Sequence, residues 1–266
     1  MIWDEAISAY RAYLAAIGRP KTTIELRRHQ LAHLGRSINL PPARITEADL
    51  IDWFSRQDWS AETRRSYRSG IRGFYAWAIK TQLLEVDPSA DIPQIKVPPA
   101  QPRPAAEDVY RAALGRADSR VAVMLRLAAE AGLRRAEIAQ VHTRDLRHGP
   151  DGPQLLVHGK GQRERLVPIT DSLATAIGTG SRWLFPSGRG GHVSPAWVGE
   201  LCSAALGPDV TLHQLRHMFA SRAYRGTRNL RAVQGLLGHS NVAITERYTA
   251  CDDSERRLAM IAATVA

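Results

Sequence analysis

The C-terminal half of this chain contains the segment Thr211-Leu-His-Gln-Leu-Arg-His-Met-Phe-Ala-Ser221, which combines a helix start with two histidines and an arginine. Thr211 followed three positions later by Gln214 is typical of a capping box, which predicts a helix that begins near Leu212. His213 and Arg216 then share one face of its first turns, beside unpaired backbone N–H groups and the positive end of the helix dipole. The stretch therefore predicts a phosphate pocket, with a capping histidine and a surface arginine as the alternative.

A second polar segment lies upstream, at Ala131-Gly-Leu-Arg-Arg-Ala-Glu-Ile138. Gly132 is predicted to end one helix and Arg134 to open the next, so that a second arginine points from a helix start. Glu137, three residues on, can hold Arg134 or a neighbouring histidine through a charge-assisted hydrogen bond. Arg135 is predicted to lie at the surface, where it can contact a nucleic-acid backbone. The alternative is an ordinary helix–turn–helix with an i,i+3 ion pair.

The segment His158-Gly-Lys-Gly-Gln-Arg-Glu-Arg165 indicates the turn of a β-hairpin with strands at 154–158 and 163–168. Only four of the 36 basic residues are lysines, and Lys160 sits at this turn. Because lysine, unlike arginine, can release its proton, Lys160 suits a general acid. A plain turn lysine is the alternative. Arg163, at the same turn, is a candidate DNA contact.

A fourth segment, Leu236-Leu-Gly-His-Ser-Asn-Val-Ala-Ile-Thr-Glu-Arg-Tyr-Thr249, contains another histidine and a tyrosine. Gly238 is predicted to stop one helix and Ser240 to cap the next, which places His239 in the corner between them. Tyr248 follows about two turns later and offers a hydroxyl nucleophile. Taken alone, it is more typical of a half-buried packing residue.

Composition favours a nucleic-acid partner. The chain has 266 residues with ordinary hydrophobic (44%) and charged (23%) content, but a net charge of +10 and a pI near 10.2. Both halves are basic, so a polyanion can contact both. No apolar run of ~18 residues and no signal-peptide pattern is present, which predicts a cytoplasmic protein without a membrane partner. No zinc spacing, Walker loop or acidic pair occurs, so no metal or other cofactor is expected.

The N-terminal region reads as helices near 3–17, 23–34, 46–55 and 61–80. The last of them carries a basic stripe that predicts DNA contact, with a solvated helix face as the alternative: Arg64, Arg65, Arg68 and Arg72. Residues 91–105 contain five prolines and predict a semi-rigid linker. Further helices are predicted near 119–131, 195–205, 212–225, 229–237, 241–248 and 252–263.

These motifs together resemble the tyrosine recombinase (phage integrase) family over essentially the whole chain. The matching pieces are Gly-Leu-Arg-x-x-Glu at 132–137, Gly-Lys-Gly at 159–161, His-x-Leu-Arg-His at 213–217, and Leu-Gly-His-Ser at 237–240 followed by Tyr248. Ala131 departs from the threonine that is frequent in the family. The resemblance implies a mainly α fold of the small type without an arm-binding domain. It comprises a four-helix core-binding (SAM-like) DNA-binding domain at 1–90, the linker at 91–105, and an α+β catalytic domain at 106–266 with a small β-hairpin or sheet.

The resemblance assigns catalysis to six residues: Arg134, Lys160, His213, Arg216, His239 and Tyr248. Tyr248 would attack a scissile phosphate to give a 3′-phosphotyrosyl intermediate and a free 5′-hydroxyl. Arg134 and Arg216 would stabilise charge on the non-bridging oxygens, and Lys160 would protonate the leaving 5′-oxygen.

The other assigned residues have supporting roles. His213 would assist proton transfer with Tyr248, His239 would hydrogen-bond the phosphate, and Glu137 would support the pocket from outside it. Because the covalent bond conserves the phosphodiester energy, the reaction would need neither ATP nor metal.

The resemblance also implies partners. They are double-stranded DNA, clamped between the two domains, and a homotetramer that joins two duplexes through a Holliday junction. The tail at 252–266 would dock onto a neighbouring protomer, and a directionality factor is a possible accessory. The leading interpretation is an integrase that integrates or excises a phage or mobile element. Its alternatives are an Xer-type recombinase that resolves chromosome dimers, a type IB topoisomerase, and a non-catalytic DNA-binding regulator.

Overall fold

The computed structural model describes residues 2–97, 103–159, 161, 163–238 and 260–261. The chain divides into two units, Met1–Pro99 and Ala100–Ala266, and the division falls within the proline-rich segment 91–105. The assignment of residues 91–105 as a linker stays a prediction. Ile92 is buried in the core of the N-terminal unit and Ala105 in that of the C-terminal unit.

The N-terminal unit contains a four-helix arrangement: α1 (Trp3–Ala16), α2 (Lys21–Ile38), α3 (Glu47–Ser55) and α4 (Ala61–Lys80). Both predicted caps are present. The Thr46 hydroxyl accepts from Asp49 N at 3.2 Å while the Asp49 carboxylate accepts from Thr46 N at 2.8 Å, which satisfies two N–H groups at the start of α3. The Ser60 hydroxyl accepts from Thr63 N at 3.3 Å and starts α4.

One face of each helix builds the core of this unit. The predicted apolar face of α4 is buried, with Ile71, Phe74, Tyr75 and Ala78 inaccessible to solvent. Leu31 and Leu34 of α2 and Leu50 of α3 pack in the same cluster. Since the inner face of α4 is fully occupied, its arginines are restricted to the other faces.

The C-terminal unit contains seven α-helices and three strands within its described residues. The helices are α5 (Glu107–Arg116), α6 (Ser119–Ala129), α7 (Arg135–Ala139), α8 (Asp171–Ile177), α9 (Pro195–Leu206), α10 (Leu212–Thr227) and α11 (Leu230–Leu237). The strands are β1 (Leu146–Gly149), β2 (Gly152–His158) and β3 (Glu164–Pro168), in the antiparallel order β1-β2-β3. The sequence did not predict α5, α8 or β1. The mainly α fold class with a small sheet is confirmed.

Helix α6 is central to this unit. Its residues Met124, Leu125, Leu127 and Ala128 are fully buried, and α10 packs against it through Leu215 and Met218. The inner face of the sheet, which includes Leu155 and Val167 in register, closes the same core. This packing brings the start of α7, strand β3 and the first turns of α10 around one buried position.

The helices predicted near 241–248 and 252–263 lie outside the described residues, apart from Met260 and Ile261, which are helical. None of the described helices combines the length and the apolar character that a membrane-spanning helix requires.

Candidate active site

The buried carboxylate of Glu137 is the centre of the site. Arg134 is the extended N-cap residue of α7, and its backbone N–H donates to Glu137 Oε2 at 2.8 Å. Gly132 makes the turn into this cap with a φ of 66°, and a Cβ there would lie 2.5 Å from the Phe219 ring. Glycine is therefore required by both the backbone conformation and the packing.

Three arginines from three elements surround this carboxylate. Arg134 Nη1 lies 2.8 Å from Glu137 Oε1, and Arg165 of β3 donates to both oxygens at 2.9 Å. Arg216 of α10 lies 3.7 Å from Oε2. The side chain of Glu137 is only 3% exposed. A buried charge of this kind is tolerated because it is paired and hydrogen-bonded.

Burial and the neighbouring arginines have opposite effects on the pKa of Glu137. Burial alone would raise the pKa, but hydrogen bonds from the Arg165 side chain and the Arg134 backbone, together with the charges of both arginines, lower it to about 2. Glu137 is therefore ionised throughout the physiological range, and its permanent negative charge holds the guanidinium groups in place.

Arg216 is a buried cation, not the surface arginine of the alternative interpretation. It is 1% exposed, although it lies on the predicted face of α10. Its Nη1 donates to the carbonyl of Gly132, and its Nη2 donates to the carbonyl of Leu237 at 2.7 Å. Arg216 thus links the turn before α7 with the end of α11.

Arg134 differs from Arg216 in its accessibility. Its side chain is 41% exposed while one guanidinium nitrogen is held by Glu137. A planar guanidinium group that is held at one edge can direct the N–H groups of its open edge at a phosphate oxygen. The structure therefore brings Arg134 and Arg216 together around Glu137 and leaves Arg134 accessible to an incoming anion.

His213 lies one turn before Arg216 at the start of α10. In the predicted capping box, the Gln214 side chain accepts through Oε1 from the backbone N–H of Thr211 at 2.7 Å. Partial desolvation of the imidazole, followed by the charges of Arg216 and Arg134, lowers the pKa of His213. The imidazole therefore favours its neutral form, which can accept a proton.

The predicted hairpin turn joins β2 to β3, where Gly159 N donates to the carbonyl of Arg163 at 2.7 Å. Arg163 is exposed beside it. Lys160, at the tip, lies outside the described residues, as do His239 and Tyr248. Their catalytic roles stay predictions. The predicted stop of α11 is formed by Gly238, which has a φ of 62°.

Comparison with known proteins identifies the family. A model described as phage integrase family matches residues 106–255. The tyrosine recombinase XerD of Caulobacter vibrioides is 31% identical over an alignment of 270 positions. The alignment covers 91% of this chain and 87% of that protein. The chain belongs to the phage integrase family. The tyrosine recombinase XerC of Chromobacterium violaceum is 30% identical to this phage integrase family member. The alignment covers 94% of this chain and 91% of that protein.

Solved structures support the same fold. A lambda integrase dimer bound to a COC′ core site has a TM-score of 0.73 at 19% identity, covering 95% of this chain and 78% of that one. The XerH recombinase bound to difH has a TM-score of 0.67 at 18% identity, covering 91% and 79%. The predicted family and the prediction of a site-specific tyrosine recombinase are confirmed.

Arg165 is a residue of this site that the sequence motifs did not predict. It ends the hairpin segment 158–165, but no role follows from that position alone. The available signal was strand alternation, since Arg165 and Val167 share the face of β3 that points inward while Glu164 and Leu166 are exposed. A charged residue on the inward face of a strand indicates a buried partner, which the structure identifies as Glu137.

The stripe of arginines on α4 is divided in the structure. Arg64 donates to the carbonyls of Phe54 at 2.7 Å, Trp59 at 3.2 Å and Gln57, and Arg68 donates to the carbonyl of Ile92 at 2.9 and 2.6 Å. Arg65 instead has a side chain that is 57% exposed. DNA contact by these arginines and by the half-buried Arg72 remains a prediction.

Arg135 lies on the exposed side of α7, and its aliphatic part crosses α9. A Cβ on Gly199 would lie 2.9 Å from Arg135 Cδ, so the small residue in α9 makes room for this side chain. Among the described residues, no group of three or more His, Cys, Asp or Glu side chains is arranged to hold a metal ion.

Proposed function

We propose that this recombinase cleaves one strand of double-stranded DNA through Tyr248 and rejoins it to a partner duplex. The observation that carries the proposal is the cluster in which one buried carboxylate, Glu137, orients Arg134 and Arg216 beside a histidine with a lowered pKa. Two fixed cations beside a proton acceptor are what a phosphodiester needs as negative charge builds on its oxygens.

In the proposed reaction, the Tyr248 oxygen attacks the phosphorus and the bond to the 5′-oxygen breaks. His213 accepts the tyrosine proton, Lys160 gives a proton to the departing 5′-oxygen, and His239 hydrogen-bonds a phosphate oxygen. The products are a 3′-phosphotyrosyl enzyme and a free 5′-hydroxyl. A 5′-hydroxyl from the partner duplex then reverses the steps, and two such rounds pass through a Holliday junction.

The wider assembly belongs to the same proposal. Four protomers on two duplexes would carry out the exchange, assisted where needed by a directionality factor, in the cytoplasm at the nucleoid. Arg65, Arg72, Arg135 and Arg163 would contact the DNA backbone. The net charge of +10 supports such contacts, and affinity should therefore fall steeply with salt.

Two biological roles fit this chemistry. We favour an integrase that inserts or excises a phage or mobile element. The specific observation for a second candidate, an Xer-type recombinase that resolves chromosome dimers, is that relatives about 30% identical are named XerC and XerD.

The test is capture of covalent protein–DNA adducts from cells that express the chain, without crosslinker, followed by sequencing. Tyr248→Phe is run in parallel, because it removes only the nucleophilic hydroxyl. Adducts at discrete loci that disappear in the Phe variant are expected. Loci at the ends of a mobile element would support the integrase, and one site per chromosome away from any element would support the Xer-type role.

Other outcomes contradict the proposal. Evenly spread adducts would indicate a topoisomerase. If wild type and Tyr248→Phe occupy the same loci by immunoprecipitation and neither forms an adduct, the chain is a DNA-binding regulator.

A further inference from the structure

Arg165 makes three directed hydrogen bonds from a nearly buried position. Its side chain is 13% exposed. Nη1 and Nη2 donate to the two oxygens of Glu137 at 2.9 Å each, and Nε donates to the carbonyl of Leu236 at 2.8 Å. The guanidinium is therefore fixed between a carboxylate at one edge and the end of α11 at the other.

Arg216 makes a parallel connection. Its Nη2 donates to the carbonyl of Leu237, so the last two carbonyls of α11 each accept from an arginine that contacts Glu137. The last carbonyls of a helix have no partner within the helix and need an external donor. The side chain of Arg165 also lies against the backbone of Gly238, where a Cβ would be 3.0 Å from Arg165 Cδ.

The sequence positions of these contacts connect two parts of the active site. Arg165 follows Lys160 by five residues on the strand that leaves the hairpin turn, and Gly238 directly precedes His239. Glu137 also holds Arg134. One carboxylate and one arginine thus join the exit of the hairpin, the accessible cation and the end of α11.

We propose that Arg165 is a positioning residue for strand cleavage, which keeps the hairpin that carries Lys160 and the end of α11 that leads to His239 in fixed register through Glu137. This inference rests on the proposed function. Arg165 contacts no reacting atom; it acts by orienting the elements that carry them. Lysine cannot replace it, because one ammonium group does not reproduce the planar fork.

The matched control is Arg126, which forms a bidentate bridge to Glu130 at 2.8 and 2.9 Å and donates to Ser172 Oγ at 2.7 Å in the same unit. Arg165→Lys, Arg165→Ala and Arg126→Lys are compared with wild type. The DNA probe is a nicked synthetic duplex that carries the site recovered from the adducts. Single-turnover cleavage, duplex affinity and amide hydrogen exchange of residues 230–238 are measured for each protein.

Arg165→Lys should bind the duplex within about twofold of wild type and cleave it on the order of 100-fold more slowly, the cost of a small misplacement of reacting groups. Amides of α11 should exchange faster, while those of α6 stay unchanged. Arg126→Lys should cleave at nearly the wild-type rate. Arg165→Ala should show the same pattern as Arg165→Lys, with larger effects.

Three results would overturn the inference. They are wild-type cleavage by Arg165→Lys, an equal loss in Arg126→Lys, and unchanged exchange of α11 in both Arg165 variants. A wild-type protein that forms no adduct would instead refute the proposed function and with it the role in cleavage. The exchange data separate the two failures, because they show whether Arg165 holds α11 without any reaction.

Discussion

Arginines donate to backbone carbonyls in both units of this recombinase, but their surroundings differ. In the N-terminal unit, Arg64 of α4 binds three carbonyls at the end of α3 and in the turn after it. In the C-terminal unit, Arg165 and Arg216 bind the final carbonyls of α11 and also contact the buried carboxylate of Glu137. The first arrangement joins two helices. The second also fixes the orientation of a third cation, Arg134, which stays accessible.

In this basic protein, the partners of a guanidinium group indicate whether the arginine is available to an anion. Arg64, whose three nitrogens donate to carbonyls, stabilises the fold, whereas Arg134, held on one side by a carboxylate, can present its other edge to an anion. The number of arginines in a segment therefore says little about function. The position of a buried carboxylate among them says more.

The largest loss of stability and cleavage is expected from Glu137→Gln, which removes the charge of the side chain and keeps its shape. The variant leaves Arg165 and Arg216 buried without their counter-charge, which should destabilise the protein by about 3–5 kcal/mol. Cleavage should fall by on the order of 100-fold, since Arg134 loses its fixed orientation. Urea unfolding and single-turnover cleavage measure both losses. Glu130→Gln, in the bridge to Arg126, is the control and should keep its cleavage rate.

The pH dependence of stability provides an independent check of Glu137. Its folded-state pKa of about 2 lies below the ordinary value of 4.5. A lowered carboxylate pKa contributes stability that is fully present above the unfolded value and is lost as the pH falls through the folded value. The gap in unfolding free energy between wild type and Glu137→Gln should therefore be constant near neutrality and narrow from pH ~4.5 downward. A gap that stays constant in acid would contradict the buried charge.

Much of this fold was readable from the sequence because local signals are strong where helices begin and end. The caps at Thr46, Ser60, Thr211 and Gly238 each combine a specific residue type with a specific backbone geometry, and all four mark helix ends in the structure. Helices α5 and α8 are short, with ten and seven residues, and offer fewer turns in which a periodic pattern can be read. Strand β1 has only four residues, and its stability comes from pairing with β2.

The site was only partly predictable for a related reason. The pair Arg134 and Glu137 is three residues apart and can be inferred from helix geometry. The contact between Arg165 and Glu137 spans 28 residues, and that between Arg216 and Gly132 spans 84, so neither follows from local spacing. Sequence also treated the four arginines of α4 as equivalent. Which of them turn toward carbonyls depends on where α3 and Ile92 pack against that helix.

A smaller effect is expected from Arg64→Ala, which tests the other side of the comparison. Three carbonyls lose their donor, and the variant should lose about 1–3 kcal/mol of unfolding free energy. Tryptophan fluorescence during urea unfolding measures it, because Trp53 and Trp59 lie beside these contacts. Arg56→Ala is the control, since its exposed i,i+4 pair with Asp52 should be worth less than ~0.5 kcal/mol. Equal losses in the two variants would show that the carbonyl contacts of Arg64 contribute nothing.

The smallest effect is expected from Arg65→Ala, and it is confined to DNA binding. Arg65 is 57% exposed and pairs with Glu62 at 3.5 Å, so its loss should change stability by less than ~0.5 kcal/mol. If Arg65 contacts one phosphate, the slope of log affinity against log salt should decrease by about 1. Arg64→Ala should leave that slope unchanged, because each of its three guanidinium nitrogens already donates to a carbonyl. An equal decrease in both variants would mean that Arg64 releases its carbonyls on DNA, and the division of the stripe into structural and DNA-facing arginines would then fail.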